Sequence, residues 1–258
     1  MLNFKNINVL TFILFLGSLL FSQFFNISIS FFIVLFLAWL TLTSIGSFTI
    51  GWNYHLKAFN SKKNHTKNQV AITFDDGPNA EFTPQILELL KAHHAKATFF
   101  CIGKHAEQQP ELVQQIIKKG HTIGNHTYTH SDFFDFYNKQ NVIAEIKNTN
   151  EIIYSIINKK MKLFRPPYGV TNPAITKALK HTKHHVIGWN IRSLDTIKKD
   201  EEDIFNQITK NINPGAVILL HDSQEITVRV LEQLLLFLQE NNYQSVTIDT
   251  LFNIEAYA

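Results

Sequence analysis

Between Met1 and Trp52 the chain carries one charged side chain, Lys5, while nearly all of its acids, bases and histidines follow. A chain divided in this way is not one evenly patterned globule. It comprises an apolar leader and a polar domain of roughly 200 residues, long enough to bury a core of its own. The leader holds two apolar runs. Val9 to Phe25 is broken by Thr11, Ser18, Ser22 and Gln23, and Ile27 to Ile50 only by Ser, Thr and Gly. A helix needs about 20 apolar residues to cross a hydrocarbon core, which the second run reaches and the first approaches. Gln23 to Asn26 reads as a turn between them. The expectation is a transmembrane helical hairpin, a membrane anchor over residues 1–56, then a linker over 57–68 and a domain over 69–258. The alternative for the first run is a signal-peptide core, which would need more basic residues than Lys5 and a small-x-small cleavage site.

The net charge of +3 is mild, and the charges are interspersed without a basic stripe. Nucleic acid is therefore not expected as a partner. Cys101 is the only cysteine, so no internal disulfide can form.

From Gln69 onward, short β-rich runs alternate with helical patterns. Strands are expected at Val70–Phe74, Ala97–Cys101, Thr122–Asn125, Leu163–Arg165, His185–Trp189, Ala216–Leu220 and Ser245–Ile248. Thr83-Pro84 opens a helix whose apolar face is Ile86, Leu87, Leu89 and Leu90, and Pro110 opens another that ends at Gly120. Lys139 to Asn158 carries a third, and Pro173, Glu201 and Glu225 lie near the starts of three more. The segment from Tyr128 to Lys139 shows no pattern and reads as a loop. Alternation of this kind predicts a parallel α/β fold. No GxGxxG or phosphate loop follows the first strand, and seven strands suit a distorted (β/α) barrel better than an open sheet.

Reactive residues follow the strands. Asp75-Asp76-Gly77-Pro78 comes after the first, and His126-Thr-Tyr-Thr-His130 after the third. Arg165-Pro-Pro-Tyr168-Gly169 follows the fourth, Trp189 and then Asp195 the fifth, and His221-Asp222 the sixth. Parallel barrels build their active sites at that end. His126 and His130 are four apart and would share one face of a helical turn. Two histidines and one carboxylate make a catalytic zinc shell with a position left for water. Adjacent aspartates on an extended strand end point different ways, so one can hold metal while the other faces substrate. That adjacency argues against a glycosidase pair, whose carboxylates flank one bond. Taken singly, each motif also has a bland reading: solvated acids in a turn, exposed histidines, a histidine satisfied at a barrel rim. His93-His94 and His184-His185 lack an acid at a suitable offset, and Cys101 reads as core.

Thr73-Phe-Asp-Asp-Gly-Pro78, His126-x3-His130, Arg165-Pro-Pro-Tyr168 and Leu219-Leu-His221, in that order, resemble the motifs of the polysaccharide deacetylase family, carbohydrate esterases with a NodB-like domain. The resemblance runs from about Val70 to Ile248. It implies a distorted (β/α)7 barrel that removes acetyl groups from sugar polymers with Zn2+, or another divalent metal such as Co2+. It also implies roles: Asp75 as general base, Asp76, His126 and His130 as metal ligands, and Arg165 orienting the base. Tyr168 would offer its backbone N–H to the oxyanion, and Leu219 would line the acetyl pocket. Pro167 and Trp189 are expected beside the substrate. His221 would be the general acid and Asp195 its partner. The family's Asp-x-x-Asp-Trp motif is altered here. Arg192 stands at the first aspartate and Thr196 at the tryptophan, which bears on the substrate cleft and leaves the chemistry in place. Arg192 reads either as a contact to an anionic part of the substrate or as a surface salt bridge.

The expected substrate is an acetamido sugar of a cell-wall or surface polysaccharide such as peptidoglycan. The alternatives are a lipid-linked sugar at the membrane and a non-catalytic, membrane-tethered sugar-binding relic. Lys5 before the hairpin and Lys57, Lys62, Lys63 and Lys67 after it place both ends in the cytoplasm by the positive-inside rule. An enzyme of the wall must face outward, so both orientations stay open.

Overall fold

A computed structural model describes residues 3–258. Met1 and Leu2, within the anchor expected over 1–56, lie outside the described residues. The chain opens with two apolar helices, α1 (Phe4–Phe21) and α2 (Ile29–Phe48). Both are long and apolar enough to cross a membrane, and at 1.5 Å per residue they span roughly 27–30 Å. Their large side chains point outward: Leu20 is 68% and Ile29 72% exposed. The helices touch through Phe15 and Phe32, 5.7 Å apart, and through the Trp39 indole N–H, which donates to Asn8 at 3.0 Å. Their base is docked on the domain, since Thr171 N–H donates to the Ser47 carbonyl at 2.9 Å, and Thr43 meets the Tyr54 hydroxyl at 3.0 Å in the segment that follows α2. The segment 57–68 also pairs with the domain, with Phe59 bridging to Ile187 and Ser61 to Ala216.

The domain alternates β1 (Gln69–Asp75), α3 (Phe82–Ala92), β2 (Ala97–Cys101), α4 (Gly103–Gln108), α5 (Pro110–Lys118), β3 (Thr122–Asn125), α6 (Lys139–Ile157), β4 (Leu163–Phe164), α7 (Pro173–Thr182), β5 (His185–Val186), β6 (Ile191–Arg192), α8 (Glu201–Thr209), β7 (Val217–His221), α9 (Glu225–Glu240), β8 (Gln244–Ser245) and α10 (Ile248–Phe252). All strand pairings are parallel. Seven strands follow one path, β5-β4-β3-β2-β1-β7-β6, and β8 pairs with the start of β1. All seven expected strand positions carry a strand, and an eighth joins them, so among the described residues the sheet has eight strands. Ile191–Arg192 enters, while Ser245–Ile248 shrinks to a two-residue strand off the path and its last residue begins α10. The strand expected over His185–Trp189 also ends early, at Val186. Two-residue strands are too short to show a period in sequence. Among the described residues no ladder joins β5 to β6, and this is where the barrel is distorted.

Strand periodicity decides what points where. On β1, Val70, Ile72 and Phe74 pack outward against Ile86, Leu90, Leu231 and Leu234 of the helices. Ala71 faces the interior with Phe100, Leu163 and Val217. Thr73 and Asp75 share that inner side by the same period of two. The register sets Asp75 level with Phe100 on β2 and His221 on β7, and Asn125 level with Cys101 and Phe164. The reactive residues therefore share one rim.

Candidate active site

Asp75 ends β1 with 4% of its surface exposed, and a carboxylate so buried needs a partner. Arg165, entirely buried, supplies it at 2.7 Å. The guanidinium is itself held on every side. It donates to Thr73 Oγ1 at 2.8 Å, to the Ile187 carbonyl at 3.2 Å and to the Gly188 carbonyl at 3.0 Å, and it lies 4.1 Å from the Phe100 ring centroid. One oxygen of Asp75 is occupied in this way, while Oδ2 lies 3.7 Å from His126 Nε2.

Asp76 leaves the strand with φ +75 and turns the other way. Its Oδ1 lies 3.5 Å from His126 Nε2 and 3.4 Å from His130 Nε2. The expectation that a helical turn presents the two histidines is wrong. Residues 126–130 form a loop in which Thr127 (φ +66) and His130 (φ +48) are left-handed, and that reversal brings the rings to 4.9 Å. Helix is excluded here because the loop's N–H groups are satisfied by side chains. Asn125 accepts from Thr127 N at 2.9 Å, and Glu145 on α6 accepts from Tyr128 N and Thr129 N at 2.9 and 2.8 Å. His126 Nδ1 donates to the Arg165 carbonyl at 2.8 Å, which turns Nε2 toward Asp76.

Burial opposes ionisation of Asp76, but the hydrogen bond and charge of His126, with His221 and His130, overcome it and hold the carboxyl well below its usual range. Burial likewise opposes charge on His126, and Asp75 and Asp76 outweigh it, so its pKa rises. His130 is pushed down by burial and by His126. An anion among imidazoles is what a divalent cation requires. One ligand atom from each of Asp76, His126 and His130 lies within 4.8 Å of the others. Bonds of about 2.0–2.2 Å in a tetrahedron put ligand atoms about 3.3–3.6 Å apart, matching the two separations from Asp76. The three residues fit such an ion.

His221 ends β7, level with Asp75. Its Nδ1 contacts Asp195 Oδ1 at 2.8 Å, and its backbone N–H donates to Asp195 Oδ2 at 2.8 Å. Thr227 and Ser193 hydroxyls each donate to Asp195 at 2.7 Å. Burial works against the charged ring, yet the Asp195 hydrogen bond and charge, with Asp75 and Asp76 farther off, raise His221 to about 9. The ring is held as an acid.

Tyr168 has φ +57 and ψ +1, a left-handed residue beside Asp76, His126 and His130, with its ring 5.0 Å from that of His130. Its hydroxyl donates to Asp132 at 2.8 Å, which places the patternless 128–139 segment at the site. Pro167 is buried before it. Leu219 lies on the inner side of β7 and is 3% exposed, while Trp189 packs against Gly169 and lies 5.5 Å from the Arg165 guanidinium. All eleven residues singled out from sequence thus gather around one rim.

A family model described as polysaccharide deacetylase matches residues 62–187. A peptidoglycan-N-acetylglucosamine deacetylase of Bacillus cereus is 35% identical over 192 residues, 73% of this chain and 70% of that protein. The chain belongs to the polysaccharide deacetylase family. The crystal structure of the peptidoglycan N-acetylglucosamine deacetylase Bc1960, bound to a hydroxamate-type benzamide, superimposes with a TM-score of 0.73 at 33% identity, covering 78% of this chain and 94% of that one. A family pseudoenzyme from Bacillus anthracis is also similar, with a TM-score of 0.68 at 26% identity over 73% of this chain and 66% of that one. The family thus includes both active enzymes and a pseudoenzyme.

Sequence reasoning missed the residues that hold the site. Glu145 had a signal, a carboxylate amid Val142, Ile143 and Ile146 on a buried helix face. Asp222 had one too, beside His221. It is buried, accepts from Thr83 Oγ1 at 2.5 Å and fills the space that a side chain at Gly77 would need. Burial, with the charge of Asp76, lifts it to about 7. Thr227 had no signal, because its contact with Asp195 runs from α9 to a loop 32 residues earlier, and Ser193, two residues before Asp195, has no pattern that marks it.

Proposed function

We propose that this protein is a metal-dependent hydrolase that removes acetyl groups from N-acetylated sugars of a cell-wall polysaccharide, held at the membrane by α1 and α2. The observation that carries the reading is the pairing of two register-matched groups, Asp75 bound to the Arg165 guanidinium and His221 held as an acid by Asp195, beside the Asp76, His126 and His130 triad. Zn2+ suits two imidazoles and one carboxylate. A divalent metal held there would polarise the acetyl carbonyl and lower the pKa of a water molecule to about 7.

The remaining work falls to the chain. Asp75, anchored by Arg165, accepts the proton of the attacking water through its free oxygen. The Tyr168 backbone N–H supports the developing oxyanion. As the C–N bond breaks, His221 gives its proton to the departing sugar amine, and acetate is released. Leu219, Pro167 and Trp189 shape the apolar side on which the methyl group and sugar ring rest. A sugar-binding relic would have no need for both proton-transfer groups together with the partners that tune them.

The test is acetate release from N-acetylglucosamine oligomers and peptidoglycan by the detergent-solubilised chain loaded with zinc. Asp75→Asn should lower release by about 10²–10⁴-fold with metal content unchanged. Metal binding without release from either substrate would favour a lipid-linked sugar as substrate, and failure to bind metal would favour the relic.

A further inference from the structure

Beside the active site a groove of about 970 Å³ runs to the end of the apolar hairpin. Tyr168 and Trp189 line it at the catalytic side. Phe48, which ends α2, and the residues that follow it to Gly51 line it at the other, and Phe48 is 69% exposed there. Its walls carry Lys57, Lys62, Lys63 and Arg192 and no carboxylate. Lys62 is occupied, donating to the Leu251 carbonyl at 2.7 Å. Among the described residues, no hydrogen bond or ion pair engages the side chains of Lys57, Lys63 or Arg192, and all three are exposed. The salt bridge that would have given Arg192 an ordinary surface role is not formed. Lys5, Lys177 and Lys180 line a second hollow around the hairpin's base, which also includes Lys57.

Cations without counter-charges in a groove that touches the catalytic rim select an anionic part of the substrate. The apolar lip at Phe48 selects something more, because a soluble wall strand has no use for an exposed phenylalanine at the end of a membrane-length helix. Trp52, 41% exposed in the next turn, is an aromatic of the kind that settles at a lipid–water interface. Apolar tail, phosphate and sugar are the three chemistries that these walls offer. We propose that the groove binds an acetamido sugar joined through phosphate to a lipid, so that the substrate is deacetylated at the membrane surface while still on its carrier. This rests on the deacetylase reading above. Arg192, Lys57 and Lys63 hold the phosphate, Phe48 meets the start of the lipid, and the sugar reaches the rim past Trp189 and Tyr168.

The test separates binding from chemistry. In the full-length Asp75→Asn protein in neutral detergent, Lys57→Gln, Lys63→Gln and Arg192→Gln are combined. Binding is measured to N-acetylglucosamine linked by diphosphate to a short polyprenyl chain, and to an uncharged chitooligosaccharide. The expected result is at least about tenfold weaker binding of the lipid-linked sugar, with oligosaccharide binding within about twofold. Equal effects on both ligands would overturn the proposal. So would an equal loss for a soluble muropeptide bearing stem-peptide carboxylates, or binding of the sugar-free lipid diphosphate as tight as that of the sugar-linked one. Acetate release by the otherwise unsubstituted chain is scored separately. If no substrate releases acetate while the tenfold difference in binding persists, the hydrolase reading fails and the groove assignment stands.

Discussion

Asp75 and Asp195 are both buried carboxylates near one rim, and their partners set them apart. Asp75 faces Arg165, whose charge is permanent and whose other N–H groups are spent on Thr73 and on the carbonyls of Ile187 and Gly188. Asp195 faces His221, whose charge comes and goes, and is itself fixed by Thr227 and Ser193. A permanent partner fixes one oxygen of a carboxylate and leaves the other aimed at the site, which suits a base. A titratable partner lets a carboxylate raise the pKa of its neighbour, which suits an acid. One residue type thus serves two proton-transfer roles through the choice of neighbour.

Removing the permanent charge should have the largest effect. Arg165→Met leaves Asp75 buried without a counter-charge, so stability should fall by about 3–5 kcal/mol and acetate release by about 10³-fold. Denaturant unfolding and the release assay check both. A stable, active Arg165→Met protein would mean that the arginine is not what holds the base.

The titratable side should respond more gently and in a pH-dependent way. Asp195→Asn removes the charge that raises His221, so acetate release should fall by about 10²-fold and the basic limb of the pH profile should move to lower pH. An unmoved limb would assign that limb to another group. The pairing also makes a linkage. His221 rises from 6.5 to about 9 on folding, so its stabilising contribution is complete below pH 6.5 and disappears as pH rises through about 9. Unfolding measured across that window should lose this slope in Asp195→Asn.

The smallest effect sharpens the comparison within the acid pair. Thr227→Val takes one hydroxyl from Asp195 Oδ2 while leaving the backbone N–H of His221 on the same oxygen. Stability should fall by about 1 kcal/mol and activity by less than about tenfold. A loss as large as that of Asp195→Asn would show that the hydroxyl, and not the charge alone, orients the carboxylate.

Much of this site was legible in the chain. Acids and histidines recur just after apolar, β-rich runs, and in a parallel barrel that position is a place, the C-terminal rim. Strand period then aims Asp75 and His221 inward together. The helical reading of His126 and His130 failed because spacing of four fits a helix and a left-handed turn equally well. The choice was made by Asn125 and Glu145, which capture the loop's N–H groups from outside it. Strand β6 was invisible because two residues have no period.

The division into an apolar hairpin and a polar domain, the parallel α/β class and the identity of the reactive groups can all be read along the chain. These depend on composition, periodicity and order along the chain, all of which are local. Folding alone sets which oxygen of Asp75 is spent on Arg165, why His221 is an acid, and that Arg192 stands without a counter-charge in the same groove as Lys57, Lys63 and the end of α2. Each of these is a distance between segments far apart in the chain, and electrostatic energy depends on that distance and on burial, which the order of residues does not contain.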